Sequence, residues 1–301
     1  MTGRRTLAGA AALVVATVLL GGCRAAPANP DAHVRVVATT TILADLVGSV
    51  GGPLVSVESL VPKGGEVHTF DPKPSDVRRL VEADLVVRNG LGLDDWLATL
   101  VRDAGSTAPV VVLGEDLTGA TYIHEGKSVN PHLWLDVAYA RLYAARILDA
   151  LVTADPADAD AFRANAATYD ATLAALDAEI RADLSGIPEA DRTVVAFHDA
   201  FPYFAAAYGL VIDGTIVDAP GQDPSAAQVA ALVNSINDGN IHAIFSEAQF
   251  NPSLAQAIAA ETKAVVVTDL YTDSVGDPPL DSYVALLRWD AQRVSEALRA
   301  P

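Results

Sequence analysis

Between residues 156 and 184 the apolar side chains Phe162, Ala166, Tyr169, Leu173, Leu176, Ile180 and Leu184 recur at steps of three and four. That spacing places them on one face of a single long helix. Asp155 before Pro156 marks its start, and Gly186 with Pro188 its stop. The segment is constraining because the chain on both sides of it has another rhythm. Before it, short β-branched runs at 34–38, 55–61, 84–87 and 110–113 read as strands. Helices fall between them at 42–50 and 74–83, the latter with Ser75 as N-cap. After it, strands at 193–197, 210–215, 241–246 and 264–268 are interleaved with helices at 228–237 and 282–298. Strands that are apolar on both faces and alternate with helices belong to parallel sheets covered by helices. The expected fold is therefore α/β, with two lobes, each a mostly parallel sheet flanked by helices, joined by one long α-helix. The expected boundaries are an N-terminal lobe at 33–154, a linker helix at 155–187 and a C-terminal lobe at 188–301.

Hydrophobic residues make up 51% of the 301, enough for one or two cores. The net charge of −18 argues against nucleic acid, whose binding needs clustered Lys and Arg. The one cysteine, Cys23, allows no intrachain disulfide and no thiolate-held metal. Residues 1–22 read as a secretory signal, with Arg4 and Arg5 ahead of an apolar run too short to span a membrane comfortably. Leu20-Gly21-Gly22-Cys23 resembles the bacterial lipobox, so Cys23 is the expected lipidation site. Several acyl chains on that cysteine would hold the protein stably on a bilayer where one would not. Residues 23–32, small, polar and proline-bearing, form the expected tether. The protein is thus expected outside the cell, anchored to the outer face of the membrane, as a monomer.

Three of the six histidines, with one aspartate, stand at recurring positions. His68 lies in the loop after the strand at 55–61, His198 directly follows 193–197, and Asp269 directly follows 264–268. In open parallel sheets ligands collect beyond the carboxyl ends of the strands. His132 sits in Asn130-Pro131-His132-Leu133-Trp134-Leu135-Asp136, where proline fixes the backbone just before the imidazole. Each lobe thereby offers two groups, and three imidazoles with one carboxylate suit zinc, with manganese or iron as alternatives. Glu247, Asp136 and Asp199 stand near these positions as candidates to orient the ligands from behind. For Asp136 and Asp199 helix capping is an equal candidate, and Glu247 is also a candidate for a structural role or for an alternative carboxylate ligand. His33 and His242 read as non-ligands, and His124 as a solvated loop residue, with a transient second-site ligand as the alternative.

The motifs together resemble the cluster A-I, or zinc/manganese, family of periplasmic-type metal-binding proteins (ZnuA/TroA-like). The resemblance is carried by Val36 to Asp45 (VVATTTILAD), Val67 to Asp76 (VHTFDPKPSD), Asn130 to Asp136 (NPHLWLD), Phe197-His198-Asp199-Ala200-Phe201 with Tyr203-Phe204, Phe245 to Asn251 (FSEAQFN) and Val267-Thr268-Asp269. It runs from about Val34 to the C-terminus. It implies a protein without catalysis that hands a metal ion to the permease of an ABC importer, with a stiff linker helix and His68, His132, His198 and Asp269 as ligands. Histidine at the third position resembles the zinc-type members more than the manganese-type. One departure is that residues 121–129 are short and hold only His124, where many zinc-type members carry a long His- and Asp-rich loop. Two competing functions have weaker support. A zinc hydrolase would keep an open coordination position, and His124-Glu125 has no second histidine at metalloprotease spacing. A surface adhesin, a role for cell adhesion, is compatible with export, yet no repeat array or long basic patch argues for it.

Overall fold

The computed structural model describes residues 32–217 and 219–299; the expected signal, lipidation site Cys23 and most of the tether lie outside the described residues. The first sheet is made of β1 (Val34–Ala38), β2 (Val55–Ser59), β3 (Leu85–Arg88) and β4 (Val110–Val112), in the order β2-β1-β3-β4. The second has β7 (Thr193–Ala196), β8 (Val211–Thr215), β9 (Ala243–Glu247) and β10 (Val265–Leu270), in the order β10-β9-β7-β8. All pairings in both sheets are parallel, as the apolar strand composition requires. A short antiparallel ribbon, β5 (His124–Glu125) and β6 (Ser128–Val129), stands apart.

Helices α1 (Thr41–Gly51), α2 (Pro74–Glu82) and α3 (Trp96–Ala104) accompany the first sheet. Helices α6 (Pro202–Tyr208), α7 (Ala226–Gly239), α8 (Ser253–Thr262) and α9 (Tyr283–Arg299) accompany the second. In chain order the two sheets are separated by α4 (Val137–Ala154) and the long helix α5 (Ala159–Ser185), with a single 3-10 turn at Pro156–Asp158 between them. The apolar stripe of α5 is buried along its whole length, from Phe162 to Leu184. One continuous core joins β1, α1, α4 and α5 to β7, β9 and α9; the long helix packs its apolar stripe on α1, α4 and α9 and leaves its opposite face exposed.

Several local expectations change. Lys73, not Ser75, is the N-cap of α2: Pro74 occupies the first helical position and Asp76 accepts from the Lys73 backbone N–H at 2.7 Å. Helices α3, α4, α6 and α8 and the β5–β6 ribbon were not anticipated. In α4 the periodicity is diluted, since only Val137, Ala140, Tyr143, Ala144, Ile147 and Leu151 are buried among many alanines. The strand expected at 264–268 runs on to Leu270, which matters for the site.

Candidate metal centre

His68, His132, His198 and Asp273 each present one nitrogen or oxygen such that these atoms all lie within 4.8 Å of one another. The imidazole centroids are 5.4 Å apart for His68–His132, 5.8 Å for His68–His198 and 5.4 Å for His132–His198. His132, His198 and Asp273 are buried and His68 is partly buried. A groove of about 720 Å³ at the amino ends of β1 and β3, lined by His33, Val34, Leu85 and Arg146 among others, contains none of the four. The centre is therefore a close gathering of donor atoms rather than a roomy pocket, and a single small ion fits it better than an organic ligand.

Each side chain is delivered by a specific local device. His68 follows β2, and its backbone N–H donates to Glu66 Oε1 at 2.9 Å. His132 leads into a 3-10 turn, Leu133–Leu135, after Pro131. Its ring Nδ1 and its backbone N–H both face Asn130 Oδ1 at 3.0 Å. Donation from Nδ1 to that oxygen leaves Nε2 with its lone pair toward the other imidazoles. Asn130, fully buried, also donates from Nδ2 to the Asp199 carbonyl at 2.6 Å and to Glu125 Oε1. It thereby ties the His132 loop to the loop carrying His198. His198 lies just beyond β7, and its Nδ1 is 2.7 Å from Oε1 of Glu247, the last residue of β9. Asp273 completes the group, Oδ1 at 3.5 Å from His132 Nε2 and Oδ2 at 3.8 Å from His198 Nε2.

The expectation for Asp269 is corrected by this geometry. Residue 269 lies inside β10 rather than after it. Neighbouring side chains of a strand point to opposite faces, and with Leu270 turned into the core the Asp269 carboxylate turns outward. There Arg293 Nε of α9 grips both its oxygens at 3.1 Å. The aspartate that joins the imidazoles is four residues on, in the loop Tyr271-Thr272-Asp273-Ser274. A cue to it would have been the strand's true end, because β-branched residues stop at Val267-Thr268 while pairing with β9 continues to Leu270 across a register shift. Glu247 lies behind His198, its Oε1 2.7 Å from the ring Nδ1. Asp136 caps α4, accepting from the Ala138 N–H at 2.8 Å. Asp199 contributes its backbone carbonyl to Asn130, and its side chain faces Glu125. His33 pairs with Asp158 at 2.7 Å, His242 lies 2.9 Å from Asn240, and His124 is exposed in the ribbon.

The electrostatics are uneven. Burial, aided by the neighbouring His198 charge, pushes His68 down to about 4. Burial drives His132 well below its ordinary range in the same way, with His198 and then His68 adding to it. Burial also opposes charge on His198, but the charge and hydrogen bonding of Glu247, with Asp273 and Glu66 behind, outweigh it and raise His198 to about 9. Burial raises Asp273 to about 7 despite the attraction of His198. The Nε2 atoms of His68, His132 and His198 are all buried without a hydrogen-bond partner. Leaving three such groups unsatisfied in one place costs folding free energy, and a bound cation removes that cost.

Two parallel sheets about a long helix, with buried imidazoles and a carboxylate converging between them, define a cation-binding protein. The chain matches the family model described as zinc-uptake complex component A, periplasmic, over residues 36–297. It is similar to the metal ABC transporter substrate-binding lipoprotein FimA of Streptococcus parasanguinis, 27% identical over 98% of this chain and 99% of that one. It is 30% identical to the manganese-binding lipoprotein MntA of Halalkalibacterium halodurans, over 88% of each chain. The fold superimposes on the periplasmic zinc-binding protein TroA from Treponema pallidum with a TM-score of 0.82, at 24% identity, covering 89% of this chain and 99% of that one. The chain belongs to the zinc-uptake component A family, the cluster A-I substrate-binding proteins of ABC importers, which are binding proteins and not enzymes.

Proposed function

We propose that the protein captures a divalent transition metal, zinc in the first place, with His68, His132, His198 and Asp273, and delivers it to the membrane permease of an ABC importer. The observation that carries this reading is the convergence of three unpartnered imidazole Nε2 atoms and the Asp273 carboxylate within 4.8 Å. Three nitrogens and one oxygen in a closed, four-ligand arrangement suit zinc. Glu247 then acts from behind, holding His198 by Nδ1 so that Nε2 faces the ion. Manganese or iron is the second reading. Asp273 carries two oxygens facing the imidazoles, at 3.5 and 3.8 Å, and bidentate coordination would raise the oxygen share, which these harder ions favour.

We further propose that the chain works as two lobes, 33–154 and 188–301, about a linker at 155–187, as a monomer held to the outer face of the cell membrane by lipidated Cys23. Support for the anchor comes from the lipobox-like sequence and from relatives named as lipoproteins. Calorimetry of metal-stripped protein with zinc and manganese separately, then in competition, tests the cargo. One ion per chain with zinc displacing manganese is expected. No saturable binding of either ion would end the proposal, and displacement in the reverse order would move the cargo to manganese.

A further inference from the structure

Asp273 is carried by a loop that is fastened on both of its flanks to elements that accompany the first sheet. On its amino side, the Thr272 carbonyl accepts from Trp134 Nε1 at 2.7 Å, two residues beyond His132. On its carboxyl side, buried Ser274 is the hub of a closed hydrogen-bond ring. Its Oγ accepts from the Gly64 N–H at 2.9 Å and from Thr41 Oγ1 at 3.1 Å. It donates in turn to the Val275 carbonyl at 3.0 Å, while the Val275 N–H donates back to Thr41 Oγ1 at 3.0 Å. Thr41 is the first residue of α1, and Gly64 belongs to the loop that carries His68. The ring therefore joins two metal-facing loops that come from opposite sheets. Directly outside it is a cavity of about 180 Å³ lined by Lys63, Gly64, Tyr271, Val275 and Asp277. The loop is thus held by discrete hydrogen bonds together with Val275, which is part of the continuous core, and the cavity against Tyr271 and Ser274 leaves it room to move once those bonds are lost.

We propose that Ser274 and Thr41 form a latch that holds Asp273 against the imidazoles and sets the rate at which the ion leaves. The inference rests on the metal-capture reading above. With the latch closed, the carboxylate stays beside His132 and His198. With it open, the Asp273 loop moves toward the cavity, and the ion is left with three imidazoles and an accessible face. Ser274 and Thr41 are positioning residues, since neither touches the cluster; they act through the backbone on either side of Asp273. Because they act on departure rather than capture, their removal changes release more than uptake.

The test is stopped-flow transfer of zinc from the loaded protein to excess chelator, with uptake measured separately, in wild type, Ser274→Ala, Thr41→Val and Thr41→Ser. Loss of the hydroxyl in Ser274→Ala or Thr41→Val is expected to speed release about tenfold, the equivalent of one hydrogen bond. Uptake should change less than twofold, and Thr41→Ser should release at the wild-type rate. Should Ser274→Ala fail to fold, the Thr41→Val and Thr41→Ser pair decides alone. Unchanged release, or release and uptake altered equally with Thr41→Ser no better than Thr41→Val, would overturn the latch. Wild type that binds no zinc or manganese at all would instead remove the metal-capture reading beneath it.

Discussion

Metal binding should expel protons in a pattern that ordinary histidines could not produce. With His198 at about 9 and Asp273 at about 7 in the metal-free protein, the centre at pH 7 holds one imidazolium proton and about half a carboxyl proton. His68 at about 4, and His132 held by burial well below its ordinary range, hold none. Coordination through His198 Nε2 must displace its proton, while Nδ1–H stays directed at Glu247. Binding should therefore release about 1.5 protons at pH 7, about one at pH 8 and about a quarter at pH 9.5. Three unperturbed imidazoles would release only about 0.1 proton per ring at pH 7.5 and almost none at pH 8. The difference at pH 8 is thus roughly a whole proton against a small fraction of one. Isothermal calorimetry in two buffers of unlike ionisation enthalpy reads this number directly, and the slope of log affinity against pH must equal it. A release below about 0.3 proton at pH 8, with affinity flat from pH 7 to 9, would refute the raised His198 and its pairing with Glu247.

Three further outcomes follow from the same geometry. Because the folded His198 is raised above its unfolded value, its stabilising contribution is full below about 6.5 and is lost as pH rises through about 9; metal-free protein should lose stability between pH 7 and 9, on the order of 2 kcal/mol from this group, while loaded protein does not, as thermal melts at both pH values would show. Asn130→Ala removes the group that fixes the His132 tautomer and bridges to the His198 loop, so zinc affinity should fall roughly 10–100-fold without loss of far-UV circular dichroism; an unchanged affinity would strip Asn130 of that role. Leu176→Ala, at a fully buried position of α5, should cost about 2–5 kcal/mol and still melt in one transition, because the core is continuous from sheet to sheet; two separate transitions would contradict that continuity.

The fold was legible wherever local pattern and tertiary environment agree. The strands are β-branched and the stripe of α5 is strictly periodic, so both sheets and the long helix could be read from residues alone. α4 was not, because its buried face is built partly of alanines that look the same on its exposed face. Short helices such as α6, seven residues long, carry too few turns to show a period. At the site, His68, His132 and His198 were found because strand ends and a proline-fixed loop mark them. Asp269 was chosen in place of Asp273 because the last pairing of β10 depends on register with β9, a long-range property. Only Asp269 directly follows the β-branched run, and it takes the partner across the sheet and Arg293 on α9 to show that it faces outward. The Asn130 bridge and the Ser274 ring were likewise hidden, since each joins residues from distant parts of the chain.

The sharpest measurement compares Asp273→Ala with Asp269→Ala in zinc binding to metal-stripped protein. Asp273→Ala should weaken zinc by two or more orders of magnitude, consistent with loss of one of four ligands, while leaving the fold intact. Asp269→Ala should bind like wild type, at the cost of one exposed ion pair worth less than about 1 kcal/mol. The reverse pattern, with Asp269→Ala crippled and Asp273→Ala unaffected, would contradict the convergence of His68, His132, His198 and Asp273 on one ion.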